Sequence, residues 1–366
     1  MSAPEPGQFQ TVRLRVPFTR PRLVWGLLAI NVVMFAAEML LGGSENSQTL
    51  VMLGAKVNAR IVMGEYWRLL TPMFLHIGPA HILINSYALY SLGREAEAIY
   101  GRARFLTIYL LSGISGNVLS FAFTPNLSAG ASTAIFGLVG AQLAFFYRRR
   151  KQFGSFGQAQ LMNILSVVAI NLVFGMTTRG LDNYGHIGGL VGGAVLGWLL
   201  CPEYAVEYGL DGQPYLADRT SLRKELPGVA LFVLLLVVAT GAVTINQADS
   251  PQVKLERSSA MFDSGDYAGA LPLLEQAARE LPHDPQPQYM LAADYFNLRR
   301  YADAVPFFEA TLKIAPDVAD AHFYLAISYS QIGRSADAAA HFKQYLALAP
   351  DGDMADQATQ LLAQIE

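Results

Sequence analysis

Residues 128 to 137 read SAGASTAIFG, and the run from Phe105 to Tyr147 around them contains no Asp, Glu, Lys, Arg or His. A serine, Ser132, therefore stands behind Gly130 and Ala131 at the head of an apolar segment that has the composition of a membrane span. A polar group in lipid is costly, so its default reading is functional. The rest of the chain supports the membrane setting. Of 366 residues 52% are hydrophobic and only 15% charged, and the charge is uneven. Up to about residue 248 long apolar runs alternate with short polar loops, whereas residues 249 to 366 are Ala-rich, acidic and charged enough for a soluble helical domain. The single Cys201 excludes an intrachain disulfide framework. The basic start, MSAPEPGQFQTVRLRVPFTRPR, lacks the apolar core and cleavage site of a signal peptide.

Seven segments approach the ~20 residues that a bilayer core requires: Leu23 to Leu41, Gly78 to Leu92, Phe105 to Phe123, Ser132 to Tyr147, Leu161 to Thr177, Tyr184 to Leu200 and Pro227 to Ala248. Lys and Arg set the expected orientation. Arg13, Arg15, Arg20 and Arg22 precede the first span, Arg94, Arg102 and Arg104 follow the second, RRRK (148 to 151) follows the fourth, and Arg219, Arg223 and Lys224 follow the sixth. The opposite loops hold only Lys56, Arg60, Arg68 and Arg179. The expected N-terminus is cytoplasmic, which leaves the tail after the seventh span outside.

The tail repeats with a period of 34 residues: Ala270, Ala304 and Ala338 align, as do Leu274, Phe308 and Phe342, and Pro282, Pro316 and Pro350; Tyr295 aligns with Tyr329. A small residue at a helix crossing, an aromatic one turn on and a proline stopping the second helix resemble the tetratricopeptide repeat. About three repeats (251 to 350) and a terminal helix are expected. Such solenoids offer a concave surface to peptides or partner proteins. His283, His322 and His341 have no metal-ligand spacing and are expected at the surface.

The membrane half holds a polar cluster: His76, His81, Asn85, Asn117, Ser132, Asn171 and His186. Ser132 lies 15 residues before Tyr147, and at ~1.5 Å per helical residue this is ~22 Å from the basic end of its span. His186, 15 residues before Cys201, gives the same ~22 Å, and His81, 13 residues before Arg94, gives ~20 Å. The hydrocarbon core is ~30 Å thick, so all three share one level below the outer surface. Because Ser132 opens its helix, the N–H groups around it have no intrahelical acceptor and could stabilise an oxyanion. Gly130 lets the chain approach without a side chain in the way, and Asn85 shares a helix face with His81. Glycines 185, 189, 193 and 197 form a stripe that permits close approach of a neighbouring helix.

Over about Arg22 to Leu200 the chain resembles a rhomboid intramembrane serine protease. The resemblance rests on Trp67-Arg68, HIGPAHILIN (76 to 85), GREAEAIYG with Gly93, Glu97 and Gly101, GAS (130 to 132) and GHIGGLVGG (185 to 193), in that order. It implies Ser132 as nucleophile and His186 as general base in a dyad without aspartate. His81, Asn85 and the Ser132 N–H would form the oxyanion hole. Phe136 would pack on the imidazole or simply fill core, Trp67 and Arg68 would organise the interfacial loop or anchor at the membrane surface, and His76 and Glu97 would support the site. Two departures stand out: Thr133 occupies a position where many relatives have Gly, and Phe136 lacks the hydroxyl that some relatives carry.

The expected fold is all-α: a polytopic transmembrane helix bundle, with a six-helix rhomboid core plus a seventh span, followed by an α-solenoid. Its parts are a cytoplasmic tail (1–22), the rhomboid core (23–200), a cytoplasmic loop (201–226), the seventh helix (227–248) and the repeat domain (251–366). The expected activity is intramembrane proteolysis of transmembrane protein substrates near the outer face, without cofactor, metal or nucleic acid. The expected location is a bacterial plasma membrane. The linker NQADSPQ (246 to 252) is short enough to keep the repeats near the cavity mouth, where they could hold a substrate or a protein partner. One alternative is a rhomboid-like scaffold or chaperone without catalysis; another is a metal or proton pathway through His76, His81 and His186.

Overall fold

The computed structural model of the chain describes residues 21–177, 181–208 and 214–365. Arg13, Arg15, Arg20 and Arg179, used above for orientation, lie outside the described residues. The chain divides into two compact units at Ile245 and Asn246.

The first unit begins with α1 (Leu23–Leu40). The first N–H groups of a helix have no intrahelical acceptor, and in an apolar setting they need one. Glu97 supplies it: its carboxylate accepts from the N–H of Arg22 (2.8 Å), Leu23 (3.1 Å) and Val24 (3.0 Å). Glu97 thus secures the start of the first span from a helix about 75 residues away, α5 (Arg94–Tyr100). Between them come α2 (Ser47–Leu53), α3 (Asn58–Val62), two single turns at Tyr66–Leu69 and Thr71–Phe74, and α4 (Pro79–Ala88), which runs through a wider turn at Leu89–Gly93 into α5.

The core of the bundle is α6 (Arg102–Phe123), α7 (Ser132–Arg148) and α9 (Asn183–Leu199), with α7 and α6 both packed along α9. Small residues make this possible. A Cβ on Gly189 would fall on the carbonyl oxygen of Thr133, and one on Gly193 on that of Gly137, so the backbones of α7 and α9 touch. This is the close approach expected of the glycine stripe. By contrast, α8 (Arg150–Thr177) is broken by Gly154 (φ 52°) and makes far fewer contacts. Four helices among the described residues are long and apolar enough to cross a membrane: Leu23–Leu40, Arg102–Phe123, Arg150–Asn171 and Arg223–Gln247. The remaining expected spans are shorter helices, α4, α7 and α9.

Two features at the basic end of the bundle were not expected from the sequence, in a chain whose described residues are otherwise helical as expected. Strands β1 (Tyr204–Tyr208) and β2 (Pro214–Asp218) pair antiparallel, with Tyr204 opposite Asp218. Arg104, counted above among the loop charges that set orientation, is only 7% exposed. It binds Asp218 (2.5 Å), Thr220 (2.7 Å) and Glu225 (2.9 Å), and so fastens α6 to the hairpin and to the start of α10 (Leu222–Gln247).

The described residues of the second unit form seven helices: α11 (Pro251–Asp263), α12 (Tyr267–Glu280), α13 (Pro285–Asn297), α14 (Tyr301–Ile314), α15 (Ala319–Gln331), α16 (Ser335–Leu348) and α17 (Ala355–Ile365). The 34-residue period reappears in the helix starts. Ala270, Ala304, Ala338, Leu274, Phe308 and Phe342 are fully buried, since the small residue admits the crossing helix that the large one packs against. His322 is not at the surface as expected. It is 8% exposed, with Nδ1 2.8 Å from His341 Nδ1 and Nε2 3.0 Å from the Pro316 carbonyl. Residues 19 apart on neighbouring helices meet across the pair, which no spacing rule within one helix detects.

Asp294 is a liability of this unit. It is fully buried, and neither carboxyl oxygen has a hydrogen-bond partner among the described residues. Burial, with Asp266 nearby, pushes its carboxyl up to about 7. The unfolded chain titrates near ~3.9, so the folded state binds more protons between these values and loses stability as pH rises through the window. Asp294→Asn is expected to stabilise the repeat unit by about 1–3 kcal/mol at pH 8 and to change little at pH 4. Thermal unfolding of residues 249–366 at both pH values checks this. An equal gain at both would remove ionisation as the cause.

Candidate active site

Ser132 is the first residue of α7, and His186 lies on the first turn of α9. His186 Nε2 is 2.9 Å from Ser132 Oγ, a hydrogen bond between helices held together by the glycine contacts one turn further on. Phe136, one turn along α7, stacks on the imidazole with ring centroids 4.3 Å apart and planes 10° apart. Its ring therefore fixes the imidazole plane. His186 Nδ1 has no partner among the described residues, so the pair has no carboxylate as third member.

The approach to Ser132 is built by the loop after α6. Gly130 has φ +147°, a backbone state that side chains disfavour, and its N–H donates to the Pro72 carbonyl at 2.8 Å. A Cβ there would meet His81 Cε1 at 2.8 Å and Nε2 at 2.9 Å. The glycine thus leaves room for the imidazole of α4 beside the serine. His81 Nδ1 accepts from the Ile77 N–H at 3.3 Å, which leaves the ring proton on Nε2, the nitrogen that faces Gly130. Asn85, one turn on, is 5% exposed and its Nδ2 is unpaired among the described residues. Both amide and imidazole thus retain a donor.

His76 is fully buried beside His81, ring centroids 5.5 Å apart. Its N–H donates to Glu38 Oε1 of α1 at 2.9 Å. Glu38, an acid within the first apolar span, thus anchors the segment that leads into α4. Trp67 and Arg68 differ in their surroundings. Arg68 is buried and its guanidinium donates to the carbonyls of Val51 (2.8 Å) and Ala55 (2.9 Å) and to Glu65, closing the first interhelical loop on itself. Trp67 is 55% exposed and takes no part in that closure. Asn117 donates to the Leu69 carbonyl at 2.9 Å from inside the bundle. Asn171 does not belong to the cluster: it is exposed on α8 and donates to its own helix at Val167.

Sequence reading used Lys56 only as a loop charge for orientation and passed over Asp182. Lys56 is fully buried and donates to the carbonyls of Thr124 (2.7 Å) and Ser120 (3.4 Å). Asp182 caps α9 by accepting from the Gly185 N–H at 2.9 Å. A lone acid just before an apolar helix is the available sequence signal, and it is the ordinary signal of an N-cap.

A profile of the rhomboid domain matches residues 63–203, and tetratricopeptide-repeat profiles match residues 261–304 and 289–353. The rhomboid protease GluP of Bacillus subtilis is 38% identical over 298 residues, 75% of this chain and 58% of the relative. RHOMBOID-like protein 7 of Arabidopsis thaliana is 42% identical over 168 residues, 45% of this chain and 52% of the relative. The chain thus spans between half and two thirds of the length of these curated relatives. Among solved structures, MamA from Desulfovibrio magneticus aligns with 17% identity over 39% of this chain and 88% of its own, at a TM-score of 0.29.

Proposed function

Because the chain belongs to the rhomboid family and carries tetratricopeptide repeats behind its rhomboid domain, we propose that it is an intramembrane serine endopeptidase working through Ser132 and His186. The observation that carries this reading is the 2.9 Å contact of His186 Nε2 with Ser132 Oγ, with the ring held flat by Phe136. In the proposed reaction Oγ attacks a peptide carbonyl of a transmembrane substrate while Nε2 takes its proton. The tetrahedral oxyanion is met by the Ser132 N–H, the His81 Nε2–H and the Asn85 amide. His186 then protonates the leaving amine, and water, activated by the same nitrogen, hydrolyses the acyl-enzyme.

The proposed location is a bacterial plasma membrane, with the N-terminus cytoplasmic, seven spans and the repeats on the outer face. Cleavage then falls near that face, and the repeats recruit a substrate ectodomain or protein partner, raising the local concentration of the scissile segment. The alternative, a non-catalytic scaffold, leaves the Ser132–His186 contact and the buried Asn85 amide, unpaired among the described residues, without a use.

Labelling and cleavage test the catalytic reading, and a deletion tests recruitment. A fluorophosphonate probe applied to the purified full chain in vesicles is expected to label Ser132, and cleavage of a transmembrane reporter is expected to continue in chelator. Absence of labelling and cleavage favours the scaffold, and chelator-sensitive activity favours a metal pathway. Deleting residues 253–366 is expected to slow cleavage of a substrate with a folded ectodomain and to spare the minimal reporter; equal losses on both would sink recruitment.

A further inference from the structure

We infer that Asp182 is the positioning residue that sets the Ser132–His186 distance, by tying the segment ahead of the serine to the helix that carries the histidine; this rests on the catalytic reading above. One carboxylate gathers three segments. Oδ2 accepts from Ser128 Oγ at 2.8 Å and from Ser120 Oγ, while Oδ1 accepts from Thr124 Oγ1 at 3.2 Å and from the Gly185 N–H at 2.9 Å. The Asp182 carbonyl accepts the His186 N–H at 3.0 Å. Ser128 stands four residues before Ser132, and Asp182 four residues before His186. The bond between them therefore joins the loop that leads into Ser132 to the residue one helical turn before His186.

A second strand of the same knot runs through Lys56. Its backbone pairs with Ser128 in both directions, at 2.9 and 3.3 Å, and its ammonium binds the carbonyls at the end of α6. The segment from Ser128 to Ser132 is thus held on one side by the first interhelical loop and on the other by Asp182. The carboxylate makes no hydrogen bond to the His186 ring, whose Nδ1 is unpaired. Asp182 therefore exchanges no proton with the ring directly, and what its hydrogen bonds fix is where the two side chains stand. Misplacing reacting groups by ~1 Å costs on the order of 10²-fold in rate, so loosening one of several ties is expected to cost somewhat less.

The experiment compares wild type, Asp182→Ala and Ser128→Ala as full chains in vesicles. Prolonged fluorophosphonate labelling counts competent Ser132 sites, the initial labelling rate reports dyad reactivity, and reporter cleavage is expressed per labelled site. For Asp182→Ala a loss of about ten-fold or more in kcat per site is expected, with a parallel fall in labelling rate and KM within about two-fold. Ser128→Ala, which removes one hydroxyl and leaves the α9 cap in place, is expected to lose about three-fold by the same measures. It keeps the test open if Asp182→Ala fails to fold. A merely structural role would reduce the number of labelled sites and leave the rate per site unchanged, and that outcome overturns the inference. Failure of wild type to label Ser132 would instead overturn the catalytic reading beneath it.

Discussion

Ser132→Ala and His186→Ala are each expected to lower cleavage of a transmembrane reporter by ~10⁴-fold or more. A serine hydroxyl is a weak nucleophile until a base takes its proton, and here the only base in contact with Oγ among the described residues is His186 Nε2. Removing either partner leaves the other with nothing to do, so the double variant is expected to be no slower than either single one. Neither side chain is large, and the α7–α9 interface is held by backbone contact at Gly189 and Gly193. Both variants are therefore expected to fold and to insert with wild-type yield. Substantial turnover in purified Ser132→Ala, measured on the reporter and free of contaminating protease, would refute the nucleophile assignment.

The parts of the site that were legible in the sequence are those governed by depth and by close approach. Ser132, His81 and His186 could be placed at one level because each lies a countable number of helical residues from a basic anchor. The glycine stripe could be read because four small residues at i+4 spacing have few other uses. Depth carries no azimuth, however, and this is why Asn171 was grouped with the cluster: it has the right composition and faces the wrong way. The repeats were legible because their signal recurs, so Ala270, Ala304 and Ala338 reinforce one another. Contacts between distant segments carry no such redundancy. Glu38 on the His76 N–H, Arg104 on Asp218 and Glu225, and Asp182 on Ser128 each join residues that nothing in the local pattern relates. The β1–β2 hairpin was missed because its two five-residue strands interrupt a loop whose charge had already been assigned to orientation.

Gly189→Ala is expected to reduce reporter cleavage by ~10²-fold or more, although the substitution adds a single methyl group. The added Cβ would fall on the Thr133 carbonyl oxygen, with the Thr133 carbonyl carbon and Cα next in line. Backbone cannot rotate out of the way as a side chain can, so α9 must move away from α7. His186 lies three residues before Gly189 and shares its face of the helix, while Thr133 follows Ser132 directly. The displacement is therefore imposed where the 2.9 Å contact is made. Gly26→Ala in α1 is the matched control: a Cβ there meets nothing within 4 Å, and at least half of the wild-type rate is expected. The fluorophosphonate labelling rate of Ser132 is expected to fall with cleavage in Gly189→Ala and to stay near wild type in Gly26→Ala. A Gly189→Ala variant that labels and cleaves at the wild-type rate would show that the dyad tolerates a wider helix separation, and the claim that backbone contact between α7 and α9 sets its geometry would fall.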